Sequence, residues 1–410
     1  MTAVGRVSTR LRATAQPSPT TIGLAVVAIS GLLYWLAARD FNAGRGDFFH
    51  LAEAFLNGRT WLDFQPGPND VIIVGERYYV PFAPFPAIAF MPLVFLIGSN
   101  SADIWESGIN AALAASTVGM GWWLLGRVGV KRLWDRVWLV ALLGFSTQIL
   151  WVTTRGGVWH TGHLVATILT LGCLIELWGR RRAWLIGLLA GAAFLTRAPL
   201  AFAVPFYALL LVDGTWRPSV PAVRALPWRA WLGLAAGVLP SIAFFFWYNQ
   251  LRFGTPLESG YALATLPEWL EAQRDLGLFS LAHVPMNVDY LFLHLPMLID
   301  EVPFFRPDGL GLSIFLTTPG LLYAVRADLR DRRTWLLLGA ALAVLVPTLL
   351  YYGGGWLQYG YRYFLDSIPF IWAVCAMAAV FQGRIGRGWR LLIAVGLVVM
   401  AFAPYWAYRI

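Results

Sequence analysis

Apolar stretches of about 18 to 22 residues recur along this 410-residue chain, each long enough to cross a hydrocarbon layer of roughly 30 Å as a helix. No other feature restricts the fold as tightly. Read in order, the runs fall near 21–39, 105–126, 134–152, 158–178, 184–196, 199–212, 231–248, 309–325, 335–352, 364–382 and 391–408. A β-barrel would instead show short segments alternating in polarity. With 58% hydrophobic and 13% charged residues, the chain carries more apolar surface than a soluble core of this length can bury, so lipid is its solvent. The expectation is an all-α, polytopic membrane helix bundle of about eleven transmembrane helices, one domain over 1–410 with no separate soluble domain.

Charge placement orients it. With the N-terminus in the cytoplasm, 20 of the 31 basic residues fall inside, from Arg6, Arg10 and Arg12 through the clusters at 127–136, 180–182, 217–229, 326–333 and 384–390, while 17 of the 22 acidic residues face out. That asymmetry follows the positive-inside rule, so the net charge of +9 reports topology and implies no nucleic acid. An Arg-bearing stretch followed by about nineteen apolar residues, without a small-residue cleavage pattern, reads as a retained first span. Cys173 and Cys375 lie within spans and read as packing residues.

Two long loops, 40–104 and 249–308, lie outside, so chemistry is expected there. In the first, 47–58 places Phe48, Leu51, Ala52 and Phe55 at helical spacing with Gly58 as a stop, which predicts a short amphipathic helix in the interface, begun by Asp47. A turn-rich stretch from Asp63 to Asp70 and a two-strand element around Gly75 follow. The apolar run 81–98 contains four prolines, and a full crossing there would put the basic cluster at 127–136 outside, so it reads as a re-entrant or surface helix.

Few polar residues fall where chemistry needs them. On spacing, Asp47 is a helix cap or a catalytic carboxylate, with His50 and Glu53 near its face. Arg155, His160 and His163 stand at the outer junction of the third and fourth spans, where charge is costly unless it lines a wet cavity or binds something; two histidines three apart do not complete a metal site. Arg197 interrupts two short apolar runs, either at an outer turn or buried with a partner. Arg362, between Tyr361 and Tyr363, suits bidentate binding of a phosphate or snorkelling to headgroups.

Together, GDFFHLAEAFLNGR after the first span, PFAPFPAIAFMPL, RRRAWLIGLLAGAAFLTRAPL and QYGYRYFLDSIPF, in that order, resemble the C-type (GT-C) glycosyltransferase superfamily. The resemblance implies inverting transfer of a sugar from a polyprenyl-phosphate donor to an acceptor hydroxyl of a lipid, glycan or protein, on the outer face of a bacterial plasma membrane. It implies Asp47 as general base, with Asp40 as rival. Arg362, then Arg155 and Arg197, would hold the donor phosphate, and His50, His160, His163 and Tyr361 would stand near the substrate cavity. Gly46 and Phe48 flank Asp47 where many members carry paired acids, so a divalent metal is not favoured and no cofactor is expected. The soluble C-terminal domain frequent in the family is absent before Ile410, which leaves acceptor recognition to the loops. A transporter or flippase of lipid-linked saccharides is the competing expectation, and a scaffold or polymer-ligase subunit the third.

Overall fold

A computed structural model describes residues 18–212 and 227–409. The basic residues Arg6, Arg10, Arg12, Arg217 and Arg224 of the orientation argument lie outside the described residues.

The chain is a mostly helical bundle with small antiparallel hairpins. Ser18 caps the first helix, α1 (Pro19–Ala38), its hydroxyl accepting from the Thr21 N–H (3.1 Å). The first long loop folds as α2 (Asp47–Leu56), a hairpin β1 (Ile72–Val74) and β2 (Arg77–Tyr79), then α3 (Phe85–Ile97) and α4 (Ser99–Ile104). Next come α5 (Glu106–Val128), α6 (Leu133–Phe145), α7 (Ile149–Arg155), α8 (Val158–Leu177), α9 (Ala183–Phe194), α10 (Val204–Leu210) and α11 (Trp228–Phe253). The second long loop holds α12 (Glu268–Arg274), α13 (Val284–Val288), β3 (Met297–Leu298) and β4 (Phe305–Arg306). The remainder is α14 (Ile314–Thr317), α15 (Arg332–Leu350), α16 (Ile368–Gln382), α17 (Arg387–Ala401) and α18 (Ala403–Ala407).

Among the described residues, five helical segments are long and apolar enough to cross a membrane: α1, α8, α11, α15 and α17 continued by α18. The pair α6 and α7, bent by 44°, makes a sixth. The other expected runs are shorter or broken. Where 309–325 reads as one apolar run, α14 stops after four residues at Thr318 and the chain goes on as a 3₁₀ helix over Pro319–Arg326, because proline supplies no N–H to continue the α-helix. In α5, 23 residues long, Glu106, Asn110, Ser116 and Thr117 dilute the apolar content.

Burial sorts the helices. α8 is enclosed by protein on nearly all sides, whereas α1 and α11 turn large apolar side chains such as Leu24, Leu32, Leu232 and Trp247 outward. With lipid as apolar as leucine, association between such helices rests on close packing. Gly187 of α9 and Gly237 of α11 meet this way: a Cβ on Gly187 would strike the backbone of Leu234 and Gly237.

The expected helix at 47–58 forms, but it sinks into the protein instead of lying on it: Asp47, Phe48, Phe49, Leu51, Ala52 and Ala54 are all buried, and α3 and α4 pack over it. Gly46 is the cap residue and the Asp47 side chain makes no cap bond. At 13 residues α3 rises about 20 Å, short of a crossing. The two long loops then join: Asp70 N–H donates to Thr265 O and Thr265 N–H to Val71 O, both at 2.8 Å, and Arg252 Nη1 donates to Val80 O (3.2 Å).

Candidate functional site

Two cavities of about 480 and 330 Å³ open beneath the joined loops and share a wall of Phe82, Trp159, Tyr261, Tyr351, Arg362 and Tyr363. Asn42, Arg45, Asp70, Arg155 and His160 line the larger one among aromatic and aliphatic groups. Phe82, Phe194, Phe245, Tyr248 and Phe279 make the smaller one largely aromatic, and Arg197 and Arg252 reach into it.

Arg362 stands at the junction because the preceding loop is pinned. Gln358, fully buried, donates to Leu310 O (2.5 Å) and Gly354 O (3.0 Å) and accepts from the Arg362 backbone N–H (3.1 Å). The guanidinium is buried, donates from Nη1 to Trp356 O (2.8 Å) and lies over the Tyr363 ring at 5.1 Å, while its Nε has no partner. Among the described residues no carboxylate pairs with it. A buried cation with no carboxylate in contact is costly, and Asp70, which lines the same cavity, attracts it only from beyond ion-pair distance.

The acid four residues on, Asp366, points elsewhere. Its carboxylate accepts from Arg197 Nε (2.6 and 2.8 Å) and from His163 Nδ1 (3.3 Å). Arg197 reaches the smaller cavity already neutralised, and fully buried His163 lines neither cavity.

Of the carboxylates in the first loop, Asp70 and not Asp47 faces the larger cavity. Asp47 is buried behind the wall with both oxygens taken by Arg45, from Nε (3.1 Å) and Nη2 (2.8 Å). Arg45 stacks on Trp159 at 4.7 Å, and Trp159 Nε1 donates to Asp70 Oδ2 (2.9 Å). Burial pushes the Asp70 carboxyl above its ordinary value, against the opposing pull of the Trp159 hydrogen bond and the Arg45 and Arg362 guanidiniums. A turn with φ +55° at Asp70 aims it inward, a conformation that Asp tolerates better than most residues.

The remaining expected residues divide. Asp40 is exposed and paired with its neighbour Arg39. His50 meets Phe64 edge-on at 5.0 Å, outside both cavities. His160 does line the larger cavity, its Nδ1 2.6 Å from Gly156 O and its Nε2 unpartnered. Arg155 lines it too and donates to Ala407 O (2.8 Å). Tyr361 is fully buried and structural, its hydroxyl donating to Asn287 Oδ1 (3.1 Å). Asp70, Arg252 and Trp159 were not singled out by sequence. Asp70 carries a faint signal in PGPND, an acid ending a turn; Arg252, in the last turn of α11, resembles any snorkelling arginine.

The loop to which the pinned segment is tied is itself clamped. His294 Nδ1 lies 2.8 Å from Asp289 Oδ2 and Nε2 lies 2.8 Å from Asp308 Oδ2. Burial pulls the imidazole down, but the two carboxylate hydrogen bonds outweigh it and the pKa is raised above 6.5. A raised histidine contributes stability in full below its unfolded pKa and loses it as pH rises through the folded value. Amide exchange over 289–311 is therefore expected to accelerate from pH 6 to pH 9, beyond its intrinsic pH dependence, and His294→Gln to abolish that excess. An unchanged profile in the variant would assign the effect to another group.

No protein-family model, no curated protein and no solved structure matches the chain.

Proposed function

We propose that this chain is a GT-C-type glycosyltransferase that moves a sugar from a polyprenyl-phosphate donor to an acceptor hydroxyl at the outer face of a bacterial plasma membrane. The observation that carries this reading is Arg362: a buried guanidinium with no carboxylate in contact among the described residues, on the wall between an aromatic cavity and a second one that holds a carboxylate. The short helices complete about eleven passages in this reading, with the N-terminus in the cytoplasm. The aromatic cavity takes the first isoprenoid units, the donor phosphate sits at Arg362, and the sugar projects toward Asp70.

The chemistry follows from those positions. An acceptor hydroxyl is a weak nucleophile, and a carboxylate within hydrogen-bond reach removes its proton as the oxygen attacks the anomeric carbon. Asp70, with its raised pKa and cavity position, is a better base than Asp47, whose oxygens both serve Arg45. The bond from the anomeric carbon to the phosphate oxygen breaks, the configuration inverts, and the lipid phosphate departs with its new charge against Arg362, where low polarity strengthens the attraction. Asp366 neutralises Arg197 and holds it in place beside Tyr363, over which it lies at 5.3 Å.

The test is incubation of the purified protein with a panel of polyprenyl-phosphate sugars, reading lipid-phosphate release. Release with at least one sugar is the expected result. Silence with every sugar, alongside passage of lipid-linked sugar across vesicles, would transfer the case to a flippase.

A further inference from the structure

The larger cavity has two tryptophans at its edge that the transfer chemistry leaves unexplained. Trp269 of α12 and Trp356 of the pinned loop both line it, meet edge to face at 5.8 Å, and remain 45% and 50% exposed. They come from segments far apart in sequence. Trp105, Trp123, Trp134 and Trp184 are also exposed, but line neither cavity, as expected of interfacial anchors. Nor does α12 look like a lipid-facing element, since it has no buried residue and carries Glu268, Glu271 and Gln273.

A sugar ring presents apolar C–H faces and a rim of hydroxyls, so its site needs an aromatic surface beside convergent hydrogen-bonding groups. Here the pair shares the cavity lining with Asn69, Asp70 and His160. An apolar acceptor would leave the buried His160 Nε2 without a partner, at a desolvation cost. A volume of about 480 Å³ lies in the range of small-molecule sites. We infer that Trp269 and Trp356 form a carbohydrate-stacking subsite and that the acceptor is a glycan. This rests on the transferase reading for the word acceptor, though the sugar-binding surface does not. The subsite also touches the donor side, because the Trp356 carbonyl accepts the Arg362 Nη1 hydrogen bond.

Binding of maltotriose, cellotriose, mannotriose and chitotriose to the full chain in detergent, by saturation-transfer NMR without donor, tests this. At least one trisaccharide is expected to receive saturation at its ring C–H protons. Trp269→Ala and Trp356→Ala should each weaken it about tenfold, while Trp269→Phe and the remote Trp105→Ala keep it. No binding by the unmodified protein, or binding indifferent to both alanine variants, overturns the inference. The two readings fail separately: lipid-phosphate release without trisaccharide binding removes the glycan acceptor alone, and trisaccharide binding without release from any donor removes the transferase alone.

Discussion

Arg362→Ala is expected to reduce lipid-phosphate release by about 10²- to 10³-fold, the usual loss when one preorganised donor facing a developing anion is deleted. It should do so without lowering the melting temperature in detergent. Truncating a residue that stabilises the fold lowers stability, whereas removing a buried cation that no carboxylate contacts relieves a desolvation penalty. Among the described residues, the bond from Nη1 to Trp356 O is the one side-chain hydrogen bond lost, and it is neutral at its acceptor end. Arg362→Lys separates charge from geometry: a lysine keeps the charge but not the planar fork, so an intermediate rate is expected. A parallel fall of activity and melting temperature in both variants would make Arg362 a structural residue and leave the donor phosphate without its main contact.

Sequence made the membrane character and several helices legible, because hydropathy over twenty residues is a property of the local chain. It did not make continuity legible: Thr318–Pro319–Gly320 is a small interruption in composition and a complete one for a helix. The same limit applies to the site. Arg362 and Asp366 stand at the spacing of a helical ion pair, yet the short 3₁₀ turn that carries them sends Asp366 to Arg197, 169 residues away in sequence, and leaves Arg362 alone. Arg197 as a buried, partnered charge was one of the two expected alternatives, and only the partner's identity needed the structure. His50 shares a helix with Asp47 and still misses both cavities, because α2 turns its apolar face into the protein. Asp70 went unnoticed because what brings it to the cavity is long-range, the backbone pairing of 70–71 with Thr265.

Those placements set the carboxylates of the first loop against each other in one experiment. Asp70→Asn keeps the shape of the side chain and an oxygen to accept from Trp159 Nε1, but removes the base. Transfer should fall by about 10²- to 10⁴-fold, the usual worth of general base catalysis, with donor affinity and melting temperature nearly unchanged. Because the base works deprotonated and its pKa is raised, activity of the unmodified protein should decline as pH falls through a value above the ordinary 3.8 for Asp. Asp47→Asn behaves differently. Its charge balances the buried Arg45, and deleting one partner of a buried pair costs about 3 to 5 kcal/mol, so the expected signature is a lowered melting temperature with the remaining folded protein still active. The Arg45–Trp159–Asp70 chain gives this variant a secondary effect on rate, since a loosened Arg45 releases Trp159 and with it the Asp70 carboxylate. Full stability with lost transfer in Asp47→Asn, and near-normal transfer in Asp70→Asn, would return the base to Asp47 and require Arg45 to swing away when substrate binds.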